Sequence, residues 1–223
     1  MKIIKYYDAL AKKYNELYNL NYMEDVERKI MSKYIKEDDL VLDIGCGTGR
    51  HLKYFKKAIG LDISLEMAKI AKKYNPVVVG NVEYLPFKNN SFDAVISFFG
   101  ALNHCNIIRA FKEIRRVLKN DGIFIFTLAN VYDIFWIIKN LKKPKKIFSA
   151  IKKRKGEIYK VINNKKYNVK TRFYSYKEII KLLNKLNFKL EFSFGLSNIF
   201  LDKFFYNTPY KYISTYIGFV VRK

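Results

Sequence analysis

Two acids and three glycines carry the first chemistry legible in this sequence. The run Asp43-Ile44-Gly45-Cys46-Gly47-Thr48-Gly49-Arg50 sets a carboxylate two residues ahead of a Gly-x-Gly-x-Gly turn. Glycines let the backbone turn sharply and come close to a ligand, because no Cβ intrudes. A helical pattern follows, and a helix start aims its unpaired N–H groups at whatever sits on the turn. A second acid, Asp62, ends the next apolar run, Ala58 to Leu61. A carboxylate at the tip of a second strand is placed to accept both hydroxyls of a ribose. The spacing is not the Gly-x-Gly-x-x-Gly dinucleotide fingerprint, and no lysine follows as in a phosphate-cradling P-loop. The pair asks for a nucleoside-like ligand without a clear demand for a pyrophosphate.

His104 is the sharpest candidate base, since imidazole titrates near neutrality. Its neighbour Asn103 could position an acceptor through its amide. Both follow the fourth apolar run, and a histidine there would serve equally well as a helix cap or a packed ring. Cys46, His51, His104 and Cys105 have spacings that match no zinc finger or ribbon, so no metal site is expected.

The elements that must position these residues follow from periodicity. Leu40 to Ile44 is short, apolar and bounded by turn residues, as a buried parallel strand is. Ser64 can cap a helix carrying Leu65, Ala68, Ala71 and Tyr74. Pro76 opens a third strand, Val77 to Val79, and Phe92 to Phe98 reads as a fourth. Ile107, Ala110, Phe111, Ile114, Val117 and Leu118 form one helical face. Asn120-Asp121-Gly122 is a turn before a fifth strand, Ile123 to Leu128. Ser175 and Glu178 form a capping box ahead of Ile179, Leu182, Leu183 and Leu186. Phe188 to Ser193 and Tyr216 to Val221 supply the last two strands. At the front, Ile3, Ile4, Tyr7, Leu10, Ala11, Tyr14, Leu17 and Tyr18 recur at helical spacing. Strands alternating with helices imply a parallel sheet with right-handed crossovers, and ligands at its C-terminal strand ends.

Four ordered motifs, Val41 to Arg50, Gly60 to Ser64, Gly80 to Phe87 and Ser91 to Ser97, resemble those of class I S-adenosylmethionine-dependent methyltransferases. The similarity is to the branch of methyltransferase type 11 and ubiquinone/menaquinone-type enzymes, and it spans roughly residues 6 to 130. The resemblance implies an α/β doubly wound, mostly parallel sheet of seven strands in the order 3-2-1-4-5-7-6, its final strand antiparallel, in one domain over residues 1–223. It implies S-adenosylmethionine as cofactor. Gly45, Gly47 and Gly49 would form the cofactor turn. Asp43 would orient that turn and the cofactor's ammonium, and Asp62 the ribose. Ile63, Asn81, Val82 and Ser97 complete the expected cofactor contacts, with Tyr14 reaching over from the N-terminal helix. The family usually has aspartate at position 81. Asn81 can accept from the adenine amine through its carbonyl oxygen, without charge. His104 and Asn103 fall where a methyltransferase of this class faces its acceptor.

Half the 223 residues are apolar, enough for a full core, and no apolar run approaches the ~18 residues of a membrane span. The N-terminus through Tyr18 is amphipathic and polar-interrupted, unlike a signal peptide. Two cysteines in different motifs suit a reducing, cytoplasmic setting. The formal charge is +23, and its excess sits late: Lys139 to Arg172 holds 14 basic residues against one acid, Glu157. Residues 131–172 therefore read as a basic insertion or lid. Three readings of it stand side by side. It could dock RNA, with Phe148, Tyr159, Tyr167 and Phe173 for stacking. It could lie on an anionic membrane surface through Ile134-Phe135-Trp136-Ile137-Ile138 and the following lysines. Or it could be a lid whose charge is merely solvated. The branch resembled favours a small-molecule or lipid-like acceptor. An RNA or tRNA methyltransferase is the alternative enzyme, and a cofactor-binding but catalytically silent partner subunit the alternative outside catalysis. The Asn-Pro-Pro-Tyr or Asp-Pro-Pro-Tyr motif of many base N-methylases is absent after the fourth strand.

Overall fold

The computed structural model describes residues 2–17, 21–162, 164–197 and 205–223. Tyr18, the last of the expected N-terminal stripe, lies outside them. A seven-stranded sheet forms the middle layer. Its strands are β1 (Val41–Ile44), β2 (Ala58–Asp62), β3 (Val77–Val79), β4 (Phe92–Ser97), β5 (Leu118–Ala129), β8 (Lys189–Leu196) and β9 (Tyr216–Arg222). They stand in the order β3-β2-β1-β4-β5-β9-β8. A separate hairpin, β6 (Lys155–Ile162) and β7 (Lys165–Arg172), forms its own two-stranded sheet. With the hairpin set aside, this is the expected 3-2-1-4-5-7-6 order. β1 to β5 pair in parallel, and β9 runs antiparallel to both β5 and β8.

Local sequence explains the helices. Ser64 Oγ accepts from Met67 N at 3.2 Å to start α4 (Leu65–Ala71). Asn106 Oδ1 accepts from Arg109 N at the start of α5 (Ile107–Val117), whose face Ile107, Ala110, Phe111, Ile114 and Val117 is buried. Ser175 Oγ accepts from Glu178 N at the start of α8 (Tyr176–Lys185). The expected capping box is only half made, because the Glu178 carboxylate turns to Arg154 and to Arg172, the latter at 2.7 Å. One large core packs Phe92, Phe111, Phe124, Phe126 and Phe219 on the face of the sheet that α5 and α8 cover.

Three boundaries depart from the sequence reading. The N-terminal stripe is not one helix: α1 (Lys2–Leu10) breaks into a 3₁₀ turn, Ala11–Lys13, before the short α2 (Tyr14–Leu17). That break turns Tyr14 toward the glycine turn, where a Cβ on Gly47 would stand 4.0 Å from the tyrosine ring. A further helix, α3 (Asn21–Tyr34), packs Met23, Ile30 and Met31 against the sheet's other face. Finally, β5 begins at Leu118, so the Asn120-Asp121-Gly122 turn lies inside the strand. Asp121 takes a left-handed φ of 61°, and the β4–β5 register slips there, as a bulge requires.

Residues 131–172 fold as α6 (Ile134–Lys139), α7 (Pro144–Lys153) and the hairpin. The hairpin is not free-standing: Ile162 and Val169 pack with Tyr6, Leu10 and Ala11 of the N-terminal segment. The hairpin and the N-terminal segment thus pack together as one covering. No helix among the described residues is long and apolar enough to cross a membrane.

Candidate functional site

Gly45, Gly47 and Gly49 all take positive φ, at 69°, 55° and 86°. Their roles differ. A Cβ on Gly45 would stand 2.4 Å from Ala101 Cβ, so Gly45 lets the first and fourth loops touch. A Cβ on Gly49 would strike Ala71 and Tyr74 of the α4 region, which makes Gly49 a packing glycine. Only at Gly47 is the space open, and there the bare backbone faces a cavity.

Asp62 builds the turn as well as facing the cavity. Its Oδ2 accepts from Gly47 N at 2.8 Å and its Oδ1 from Ser64 N at 2.9 Å. Burial pushes its carboxyl up from the ordinary range, and the backbone N–H groups pull it back. Asp43 is 1% exposed, and its Oδ2 has no hydrogen-bond partner in the protein. Burial pushes Asp43 up to about 6, against the attraction of His51 and Arg50. A second buried ionic group lies on that side of the turn, unforeseen in the sequence. Glu27 of α3 is fully buried and sits 3.0 Å from Arg50 and 2.9 Å from His51. His51 in turn packs against the Phe98 ring at a tilt of 44°. Periodicity could not separate Glu27 from its neighbours, Glu24, which pairs with Lys53, and Asp25, which is exposed.

The cavity over Gly47 measures about 150 Å³. Tyr14, Asp62, Ile63, Asn81 and Val82 line it with Gly45 and Gly47. Asn81 makes a local turn, its Oδ1 accepting from Glu83 N at 2.9 Å, so one lone pair remains for a ligand. Two expected contacts lie elsewhere. Ser97 is buried and donates to Ile44 O at 3.0 Å, stitching β4 to β1 beneath the turn, and Gly49 packs on α4. Cys105, which the sequence reading left unused, does line the cavity.

A second cavity, of about 690 Å³, adjoins the first. The two share Tyr7, Tyr14, Phe99 and His104. Its further lining comes from Trp136 of α6, Ala150 and Lys153 of α7, Lys155 and Ile158 of β6, and Phe173 after β7. Phe99 holds a left-handed φ of 49° beside Gly100 at 113°, which turns the chain at the end of β4. Its N–H donates to Thr127 Oγ1 and its ring packs edge-on to Tyr216 at 4.9 Å. Strain of this kind persists only where the surroundings hold it.

That turn delivers His104 to the junction of the two cavities. Its Nδ1 lies 2.8 Å from the carbonyl oxygen of Lys170 on β7. A carbonyl can only accept, so Nδ1 carries the hydrogen and Nε2 keeps its lone pair. Burial lowers the imidazole from its usual value, opposed by the Lys170 carbonyl. Tyr7 packs against the ring at 5.9 Å. Asn103, expected to position an acceptor, lines the second cavity with its amide already engaged. Its Nδ2 donates to Arg172 O at 2.7 Å and its Oδ1 accepts from Ala129 N at 3.3 Å, joining the hairpin's end to β5.

Among the described residues no group of three His, Cys, Asp or Glu side chains is arranged to hold a metal ion. Of the four aromatics considered for stacking on RNA, Phe173 lines the second cavity and Tyr167 packs with the α1 cluster; Phe148 and Tyr159 are exposed. The apolar run considered for a membrane surface is half-buried at Ile134, Phe135, Trp136 and Ile137 and exposed at Ile138.

The fold and site define a class of protein, and comparison with known proteins agrees. Residues 42–126 match the family described as a methyltransferase domain. The chain is 60% identical to an uncharacterized protein of Methanocaldococcus jannaschii, over all of this chain and 91% of that one. It is 28% identical to a ubiquinone/menaquinone biosynthesis C-methyltransferase of Campylobacter jejuni, over 91% of this chain and 97% of that one. Among solved structures, a SAM-dependent methyltransferase of Thermotoga maritima superposes with a TM-score of 0.66, at 22% identity, covering 96% of this chain and 98% of that one. The chain belongs to the class I S-adenosylmethionine-dependent methyltransferases. It is an enzyme of that class, with S-adenosylmethionine as its cofactor.

The residues present fit that cofactor. Gly47 offers bare, left-handed backbone to the cavity, Asp62 and Asn81 line it, and behind the turn the buried Asp43 Oδ2 has no hydrogen-bond partner in the protein.

Proposed function

We propose that this enzyme methylates a small molecule with an apolar body, held in the second cavity beneath residues 131–172 acting as a lid. The observation that carries this reading is the junction: the cofactor cavity opens onto a chamber of about 690 Å³ at Tyr7, Tyr14, Phe99 and His104. A chamber of that size, lined by apolar and polar side chains together, is what a small acceptor needs. Gly45, Gly47, Asp62, Ile63, Asn81, Val82 and Tyr14 hold the cofactor, and Asp43 answers its positive charge. When bound, S-adenosylmethionine supplies a methyl group on a positively charged sulfur, already activated for displacement.

The protein's work is then orientation, exclusion of water and removal of one proton. Holding acceptor and methyl in line in a closed chamber supplies ~7–11 kcal/mol of the barrier lowering. The acceptor atom forms its new bond to carbon as the carbon–sulfur bond breaks. The proton it loses passes to His104 Nε2: the Lys170 carbonyl fixes the tautomer by holding the hydrogen on Nδ1, and burial disfavours the charged ring. Asn103 serves by fixing the hairpin, and so Lys170, against the sheet.

RNA as acceptor remains the second reading, carried by the insertion's charge. Two of its four stacking candidates are committed elsewhere, which favours the small molecule. Labelled methyl from S-adenosylmethionine, offered to extract from cells lacking this gene, separates them. The expected result is label that survives nuclease treatment and partitions among small molecules. Label lost on nuclease treatment would overturn the reading.

A further inference from the structure

The chamber carries charge that an uncharged acceptor would leave idle. Lys146, Lys153 and Lys155 all line it. Lys146 donates to Asn140 Oδ1 at 2.8 Å and lies over the Trp136 ring. The insertion's arginines, Arg154 and Arg172, are paired with Glu178. Lys153 and Lys155 have no ion-pair or hydrogen-bond partner for their ammonium groups among the described residues. Nor do the chamber's two acids answer them. Asp133 Oδ1 caps α6, accepting from Phe135 N and Trp136 N, and burial raises its carboxyl toward the neutral form. Glu157 accepts from Asn168 Nδ2 at 2.9 Å.

The hairpin register gives a ruler. Glu157 faces Lys170, whose carbonyl holds His104, and Lys155 lies two residues further along β6. At roughly 3.3 Å per residue, the Lys155 backbone stands about 7 Å along the strand from the point level with His104. The same chamber is lined by apolar side chains, Phe173, Trp136, Val131 and Tyr216 among them. The chamber thus combines lysines and apolar side chains in its lining, and His104 stands where it meets the first cavity.

We propose that the acceptor carries an anionic group, a carboxylate or a phosphate ester, on an apolar body, and that Lys153 and Lys155 receive that group. This rests on the chamber being the acceptor site. The two lysines come from different elements, the end of α7 and the start of β6, and Arg154 between them turns the chain through a left-handed φ of 52°. An acceptor spanning the chamber would therefore also pin the lid.

The chain has one tryptophan, Trp136, and it lines the chamber, so its emission reports occupancy directly. The full chain is titrated with octanoate, octyl phosphate, octanol and octylammonium. Octanoate and octyl phosphate should each bind about tenfold tighter than octanol, as a charge-assisted contact allows, and octylammonium weaker still. The stronger of the two anions names the source chemistry. The double variant Lys153→Ala/Lys155→Ala should lose that advantage and bind octanol unchanged, while Lys153→Arg/Lys155→Arg should keep it. Octanol binding as tightly as both anions, an equal loss for all probes in the alanine variant, or no response from Trp136 to any probe would each overturn the proposal. Methyl transfer should be inhibited by the tighter-binding anion. Binding at the lysines without inhibition would instead remove the chamber as the acceptor site.

Discussion

Replacing Asp43 with asparagine should make the protein more stable at neutral pH relative to acid, and weaken its hold on the cofactor. The carboxyl is buried, one oxygen has no partner, and its value is raised from the ordinary 3.8 to about 6. The gap corresponds to ~3 kcal/mol between the two protonation states. Because the folded value lies above the unfolded one, the folded chain binds this proton more tightly. The stability it contributes is full below pH 3.8, declines as pH rises through about 6, and is gone above it. Other groups titrate in the same window, so the informative quantity is the difference between variant and wild type. The asparagine amide will meet an unfavourable buried site at a cost of ~1–3 kcal/mol, but that cost does not change with pH and drops out of the slope. Urea unfolding of both proteins from pH 4.5 to 7.5 should therefore show the variant gaining ~2 kcal/mol on wild type across the window. Calorimetry at pH 7.5 should show S-adenosylmethionine bound about tenfold more weakly, since the variant lacks the charge. A difference that stays flat with pH would refute the reasoning, because it would mean that Asp43 keeps its ordinary value and is not a buried charge awaiting a partner.

Three further outcomes follow from the site. Asp62→Ala removes the acceptor for Gly47 N and Ser64 N, so cofactor affinity should fall at least tenfold by calorimetry, and unchanged affinity would dismiss the assignment. His104→Ala should lower turnover on the true acceptor by ~10²–10⁴-fold. In wild type the rate should rise with pH to a plateau, its midpoint below the usual histidine value of 6.5 because burial lowers it, and full turnover in the variant would remove the base. Gly45→Ala forces both a left-handed alanine and a contact of 2.4 Å on Ala101, for a loss of ~2–4 kcal/mol in urea unfolding. Adding Ala101→Gly should restore the part due to the clash, and no restoration would show that the two loops do not meet as described.

The sheet was legible because each parallel strand is a short apolar run ending in a turn, and the glycine turn fixes which run comes first. Asp62, Gly47, Asn81 and His104 could be brought to one cavity on chain order alone, since all follow C-terminal strand ends. What the sequence hid depends on contacts between distant segments. Ser97 looks like any strand-end serine until its hydroxyl is found on Ile44 O. Asn103 reads as a free amide until Ala129 and Arg172 take both its ends. The insertion's charge suggested partners in solvent. Only the packing of Ile162 and Val169 on α1 reveals that the hairpin roofs a chamber, with Lys153 and Lys155 in its wall. Glu27 carries no local signal at all, being one acid among several on an amphipathic helix.

The central claim is that the cofactor cavity opens onto the acceptor chamber at His104. A crystal structure with S-adenosylhomocysteine tests it most directly. The account predicts the ligand over Gly47 and Asp62, with its sulfur at the junction of Tyr7, Tyr14, Phe99 and His104 and open to the chamber. A ligand whose sulfur is walled off from the chamber, or which leaves His104 on the far side of the protein from it, would contradict the account.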